Sequence, residues 1–244
     1  MILAQTLTRL RVRRLAGVAD ALEEQRGIPD VQGLTFEDRL ALLVEREATM
    51  REDRRLTRLL RQARLRLPAS VEGLDFRSPR ELDRSVVLRL AACDWIRSHQ
   101  VVLITGATGT GKTYLACALG QAACGRGHST RYYRLSRLLG ELALARADGS
   151  YPRILDRLQK IELLVLDDFG LAPLTDHQRH DLLELLEDRY GRRATLVTSQ
   201  RPFDHWHAVV GATTFADAIL DRLVHNDHRI TLTGASLRPS TTPP

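Results

Sequence analysis

Lysine is nearly absent from this chain of 244 residues, yet one of its two lysines, Lys112, stands where it can hold phosphate. The run Gly106-Ala107-Thr108-Gly109-Thr110-Gly111-Lys112-Thr113 has the spacing GxxxxGK[ST]. Glycines in such a run let successive backbone N–H groups point into one concavity, and a following helix adds the positive end of its dipole. Lys112 contributes a full charge against β- and γ-phosphate oxygens, and Thr113 a hydroxyl for Mg2+. A glycine-rich turn with a solvated lysine would look the same locally, so the flanking segments decide. Val101–Thr105 is apolar and β-branched, as a strand should be, and Tyr114–Gly120 reads as a helix. Residues 106 to 113, with Tyr114 after them, are therefore the candidate nucleotide contacts, and ATP the expected ligand.

A phosphate loop needs an acidic counterpart. Ile161–Leu166 is a buried-strand pattern that ends in Asp167-Asp168, about 55 residues beyond Lys112, a spacing that suits the second nucleotide-binding motif. Asp167 is placed to hold Mg2+, directly or through water. Asp168 is placed to polarise the attacking water as a general base. Many related ATPases carry glutamate there, so the shorter aspartate needs a closer approach or a bridging water. The alternative is an Asp-Asp turn that merely ends a core strand. Farther on, Ala194–Gln200 is a strand with polar residues at its end, where Ser199 or Gln200 could touch the γ-phosphate or simply close a turn. Arg222 lies on a helix, where it could reach the nucleotide of an adjacent subunit as an arginine finger or form a surface salt bridge.

These residues need a frame that brings them together. Strands are expected at Val101–Thr105, Thr130–Leu135, Ile161–Leu166, Thr195–Ser199 and Arg229–Leu232, alternating with helices at Lys112–Cys124, Ser136–Ala147, Thr175–Tyr190 and Phe215–His225. Such alternation implies an α/β fold with a parallel sheet covered on both faces. Ahead of it, Leu82–Ser98 reads as one helix, and Pro68-Ala69-Ser70 with Gly73 as a hinge. The first 70 residues read as a small helical, arginine-rich domain. Leucines at helical spacing run from Ile2 to Gln25, and Thr35 with Asp38 resembles a capping box opening a helix that extends to about Leu67. In its second half Leu56, Leu59, Leu60 and Ala63 share one face, opposite Arg51, Arg54, Arg55, Arg58 and Arg61. That basic face could neutralise DNA phosphates, dock a partner, or only be solvated. Residues 71–236 are the expected ATPase domain and 237–244, rich in Ser, Thr and Pro, a disordered tail.

Composition narrows the rest. The formal charge of +6 favours a polyanionic partner beyond the nucleotide, although the excess of arginine over lysine could equally reflect base composition. No apolar stretch reaches the roughly 18 residues of a membrane span. The N-terminus lacks a signal-peptide core, so a cytoplasmic protein without membrane contact is expected. Cys93, Cys117 and Cys124 form no CxxC pair, and the eight histidines no HExxH, which argues for packing over disulfide or zinc. No further set of acids suggests strand breakage, so cutting DNA would fall to another protein.

The order of GATGTGKT (106–113), LLVLDDFG (163–170), TLVTSQRPFDHWH (195–207) and FADAILDRLVHNDHRI (215–230) resembles the IstB family. These are ATP-binding helper proteins of insertion-sequence transposition, similar to DnaC-type helicase loaders and of the AAA+ class. The resemblance covers almost the whole chain, LTFEDRLALLVERE (34–47) included. It implies that Lys112 and Thr113 belong to Walker A, Asp167 and Asp168 to Walker B, Ser199–Gln200 to sensor 1, and that Arg222 is the finger. Gly234–Arg238 resembles the GxSxR ending of the family, with Arg238 a sensor-2 candidate, and little chain after Leu232 remains for a helical lid. The implied function is an Mg2+-dependent, DNA-stimulated ATPase that forms a homo-oligomer on duplex DNA with ATP and directs a partner transposase. The alternatives are a DnaC-like loader gripping a replicative helicase, a P-loop small-molecule kinase, and a DNA-binding module with a decayed nucleotide site.

Overall fold

Val101–Gly106 (β1) has five consecutive buried residues, which only a strand covered on both faces can have. It lies between Ala194–Ser199 (β4) and Asp227–Leu232 (β5) in a five-stranded sheet completed by Thr130–Arg134 (β2) and Leu163–Phe169 (β3), in the order β2-β3-β4-β1-β5. Every pairing is parallel. The computed structural model describes residues 2–28, 31, 33–78, 81–211, 213–225 and 227–237.

Side chains alternate across the sheet as the pleat requires. Val102, Ile104, Val165 and Leu196 point into one core, closed by the helices Arg84–Ala91 (α4), Asp94–Arg97 (α5) and Lys112–Gly125 (α6). Val101, Leu103, Leu164 and Val197 point into the other, under Leu135–Asp148 (α7), Tyr151–Lys160 (α8), Asp176–Arg189 (α9), Trp206–Val210 (α10) and Thr213–Val224 (α11). All three cysteines are buried and free, with burial pushing each thiol up, so they pack as apolar residues. Among the described residues no helix is long and apolar enough to cross a membrane.

Three local expectations need correction. The single helix over Leu82–Ser98 is two, α4 and α5, because Cys93 takes a left-handed φ of 66°. Burying Val87, Leu90, Cys93, Trp95 and Ile96 together exceeds one helical stripe, and the break lets the Trp95 indole donate to the Leu90 carbonyl at 2.8 Å. The segment read as a hinge instead places Ala69, Val71 and Leu74 in the first core. Two helices, α8 and α10, went unforeseen. α8 carried a legible signal, Pro152 in its first turn and Tyr151, Leu155 and Leu158 at i, i+4, i+7. α10 is only five residues long and forms around Trp206, which is fully buried against Phe169.

The chain divides into two compact units, residues 1–58 and 59–244. The first holds Ile2–Val12 (α1), Ala16–Gly27 (α2) and most of Phe36–Ala63 (α3), with Arg14 at φ 62° parting α1 from α2. Thr35 opens α3 by accepting the Asp38 N–H at 3.2 Å, while its hydroxyl donates to the Asp38 carboxylate at 2.7 Å. Glu47 reaches from α3 to the start of α2 and accepts the N–H groups of Gly17 and Val18 at 2.8 and 3.3 Å. It also accepts the Arg51 guanidinium at 2.7 Å. A Cβ at position 17 would stand 2.7 Å from the Glu47 backbone, so glycine permits this approach. α3 ends at Ala63, short of the expected Leu67, because Arg64 turns left-handed at φ 49° and Leu65 packs against the first core. The five arginines from Arg51 to Arg61 are exposed, opposite the buried Leu59 and Ala63.

Candidate nucleotide site

Parallel register gathers the carboxyl ends of the strands. Thr105 of β1 is level with Ser199 of β4, and Arg134 of β2 with Asp167 of β3. The loop leaving β1 must pass over this end, and an α/β sheet binds ligands there. Gly106 has φ 149° and would drive a Cβ to 2.3 Å from the Leu232 carbonyl. Gly109 has φ 88°, and its missing Cβ makes room for Ser236, while its carbonyl accepts the Leu237 N–H at 3.0 Å. The segment after β5 thus packs on the loop. Inside the loop the Lys112 ammonium donates to the carbonyls of Gly106 and Ala107, each at 2.7 Å, and Thr110 donates to Ala107 at 2.9 Å. α6 begins at Lys112, so the positive end of its dipole faces the loop.

Asp167 is fully buried and ringed by hydroxyls. Thr113 donates to it at 3.0 and 3.2 Å, Tyr132 at 2.5 Å, and Thr198 by a short bond. Burial and the neighbouring carboxylate both push the Tyr132 hydroxyl well up, so it stays protonated and remains a donor. Asp168 sits where pairing between β3 and β4 is irregular and has φ 65°, a left-handed conformation that aspartate tolerates better than most side chains. Its N–H donates to Thr198 at 3.2 Å, and its carboxylate faces Arg134 at 3.3 Å and Arg66 at 3.8 Å. Arg66 also stands 3.6 Å from Asp167.

Between the loop and these acids lies a cavity of about 530 Å3. Thr108, Gly109, Gly111, Lys112, Thr113, Tyr114, Asp168 and Gln200 line it among the residues singled out in the sequence. Gln200 accepts the Thr108 hydroxyl at 2.6 Å. Ser199 is fully buried and turned to backbone instead, donating to the Phe169 carbonyl at 2.8 Å and accepting the Arg201 N–H at 3.1 Å. Arg222 is not brought to the loop of its own chain. It pairs with Asp221 at 2.6 Å, lies over the Tyr190 ring, and lines a small cavity near Val101 and Thr195, where β1 and β4 begin. Arg238 lies outside the described residues.

The cavity also uses residues that sequence reasoning passed over. Leu67, expected to end the long helix, Gly73, read as part of the hinge, and Leu74 and Asp75 beside it form part of its wall. Arg66, expected on the basic helix, follows the end of α3 and turns to the acids. Tyr132, Arg134 and Thr198 contact Asp167 or Asp168 from neighbouring strands. Arg134 and Thr198 stand at or beside strand ends, which was the one available signal. Nothing local distinguishes Arg66 from the arginines before it.

An oxygen set of one threonine hydroxyl and one buried carboxylate, beside a phosphate loop, suits Mg2+, which is held by one or two carboxylates with phosphate oxygens and water. Among the described residues there is no cluster of three or more His, Cys, Asp or Glu side chains of the kind a closed metal cage needs.

Known proteins match this arrangement. A family profile described as IstB-like ATP binding protein matches residues 8–242. An insertion sequence ATP-binding protein of Sinorhizobium fredii is 50% identical over 98% of this chain and 97% of its own length. The insertion sequence IS21 ATP-binding protein of Pseudomonas aeruginosa is 32% identical over 95% of this chain and 86% of its own. Among solved structures, DnaI superposes with a TM-score of 0.59 at 21% identity, over 74% of this chain and 93% of that one. AMPPCP-bound DnaA from Aquifex aeolicus superposes at 0.58 and 19% identity, over 69% of this chain and 51% of that one. The two superpositions show that the sheet and its flanking helices share their fold with DnaI and DnaA.

Proposed function

The chain belongs to the IstB-like ATP binding protein family, and from that premise we propose that it is an Mg2+-dependent ATPase that assembles on duplex DNA with ATP and directs a partner transposase. The observation that carries the ATPase reading is the meeting of Thr113 and Asp167 at 3.0 Å beside Lys112, with Asp168 next in the chain. In this reading Lys112 gives up the Gly106 and Ala107 carbonyls for β- and γ-phosphate oxygens, and the N–H groups of the loop and of α6 surround the rest. Thr113 and Asp167 hold Mg2+, which when bound neutralises phosphate charge. Tyr132 and Thr198 keep the Asp167 carboxylate oriented by donating to it. Asp168 accepts a proton as a water oxygen bonds to the γ-phosphorus and the bond to the ADP oxygen breaks. Gln200 reaches the same cavity and is better placed than Ser199 to sense the γ-phosphate.

Near-complete alignment with insertion-sequence proteins supports the transposition context over helicase loading, since the resemblance to DnaI is one of fold. The exposed arginines of α3, within the N-terminal region 1–70, are the proposed DNA contact. Arg222 lies away from its own chain's loop and is proposed to act on the nucleotide of a neighbouring copy, in the cytoplasm where ATP and the DNA target meet. The decisive measurement is duplex binding and assembly with ATP against ADP at two salt concentrations. Tighter binding with ATP that weakens steeply with salt is expected; equal binding with either nucleotide and without any would sink the reading.

A further inference from the structure

The edge of the sheet carries a second cavity, beside the one at the phosphate loop. It has a volume of about 440 Å3 and is walled by Arg64, Arg66, Arg131, Arg134 and Arg137, with Glu141 as the only acid among the described residues lining it. Arg64, Arg131 and Arg137 enter no ion pair among the described residues, so their charge is not cancelled locally. Arg134 is incompletely satisfied as well. Its Nε lies 3.3 Å from Asp168 but off the line a hydrogen bond requires, and it is buried without a hydrogen-bond partner. Arg134 lines the nucleotide cavity as well, so an acceptor on either side could take this costly unsatisfied N–H.

The chemistry of that acceptor follows from the walls. Arg64, Arg131 and Arg137 stand beside Arg66 and Arg134, which face Asp167 and Asp168, and together they outweigh the carboxylate of Glu141 and call for negative charge; guanidinium forks match phosphate oxygens in pairs. Tyr132 and Tyr133 also border the cavity, but both are buried, and Arg131 covers the Tyr133 ring. No exposed ring is offered for an unpaired base to stack on, which disfavours single-strand readout. Among the described residues the wall offers no aliphatic side chain either, and a peptide would need apolar seats for its own side chains. What remains is the backbone of a duplex.

Arg66 makes this site consequential. It lines both cavities and lies within 4 Å of both Asp167 and Asp168, so the cation that would meet a DNA phosphate also restrains the proposed general base. We propose that the groove beside β2 binds duplex phosphates and that its occupancy draws Arg66 and Arg134, which both line the groove and face Asp168, away from that carboxylate, freeing it for hydrolysis. The inference rests on the ATPase and DNA reading above. It adds where DNA is felt and how that reaches the acid, and by linkage the coupling must act in both directions on binding.

The test uses the full chain, a labelled random-sequence duplex and, as the other arm, a polyglutamate peptide at the same ionic strength. Arg64→Glu with Arg137→Glu alters the groove only. It should weaken duplex affinity at least about tenfold, lower the salt slope by about 2, and abolish stimulation of hydrolysis by DNA, while basal turnover and ATP affinity stay unchanged. Arg137→Gln, on an exposed helical position, gives a milder version if the double variant folds poorly. Arg66→Gln should raise turnover without DNA toward the stimulated rate; an equal fall with and without DNA would show that Arg66 supports the site and would overturn the coupling. Unchanged DNA affinity and stimulation in the groove variants, with loss in Arg54→Glu plus Arg58→Glu, would assign DNA to α3 and refute the groove. Polyglutamate binding as tightly as the duplex would replace nucleic acid by an acidic protein segment. Wild-type protein that binds no duplex with ATP would instead bring down the functional reading itself.

Discussion

Glu47 in the N-terminal unit and Asp167 in the sheet unit are both buried carboxylates, and they are satisfied in opposite ways. Glu47 accepts two helix N–H groups and one guanidinium within its own unit, so its charge is spent on joining α3 to α2. Asp167 receives hydroxyl hydrogens from three side chains, with Arg66 only at 3.6 Å, and stands at the end of a strand beside an open cavity. Hydroxyls can rotate or exchange partners, whereas N–H groups of a helix cannot. A carboxylate held by fixed donors is a structural joint; one held by adjustable donors can take a metal ion and a substrate without the fold being rebuilt.

The comparison can be strained from either side. The largest effect expected is on turnover: Asp168→Asn should cut ATP hydrolysis about 1000-fold, the loss typical of a missing general base, while ATP affinity changes less than about threefold. Single-turnover kinetics would show it, and near-normal turnover would remove Asp168 from the base role. Next, Lys112→Ala should weaken ATP binding about 100-fold or more by titration calorimetry, since the phosphates lose a nearly buried cation, and should leave α1 and α2 as protected from proteolysis as before. Loss of that protection would mean that the N-terminal unit depends on the nucleotide site for its stability. In the other direction, Glu47→Gln should destabilise the N-terminal unit by about 1–3 kcal/mol, read by hydrogen exchange in α2, with ATP affinity unaltered. The smallest effect concerns pH. The Arg51 hydrogen bond, helped by the two N–H groups and opposed by burial, holds the Glu47 carboxyl below its ordinary value. Its contribution is therefore complete above the unfolded value of about 4.3 and is lost as pH falls through the lower folded value. Acid titration should loosen α2 in the wild type, and the Glu47→Gln variant should lack that step.

Much of this molecule was legible before any coordinates. All five strands lie close to their expected positions; for β1, β3 and β4 the reason is that a short apolar run bounded by polar residues has few other uses in a parallel sheet, whereas β2 and β5 at the edges carry polar residues along their length. The phosphate loop, the Asp-Asp strand end and Gln200 meet around one cavity, since each was identified at the carboxyl end of a strand. What escaped were contacts set by register between strands. Tyr132 reaches Asp167 because β2 pairs with β3 in the frame that aligns Tyr132 with Val165, one turn of the pleat away. Thr198, not the more conspicuous Ser199, bonds both acids, and the choice between adjacent residues depends on which face of β4 each occupies beside an irregular pairing.

The sequence alone determined the family, the sheet and the loop, because glycine spacing and apolar runs are local properties that the backbone must obey wherever they occur. Only the tertiary structure decided that Arg66 leaves the basic helix to face the Asp-Asp pair, that the supposed hinge is wall and core, and that an arginine-lined groove borders the nucleotide cavity. Those outcomes depend on where chain segments far apart in sequence are packed, and an arginine carries the same side chain whether it ends in water or against a buried acid.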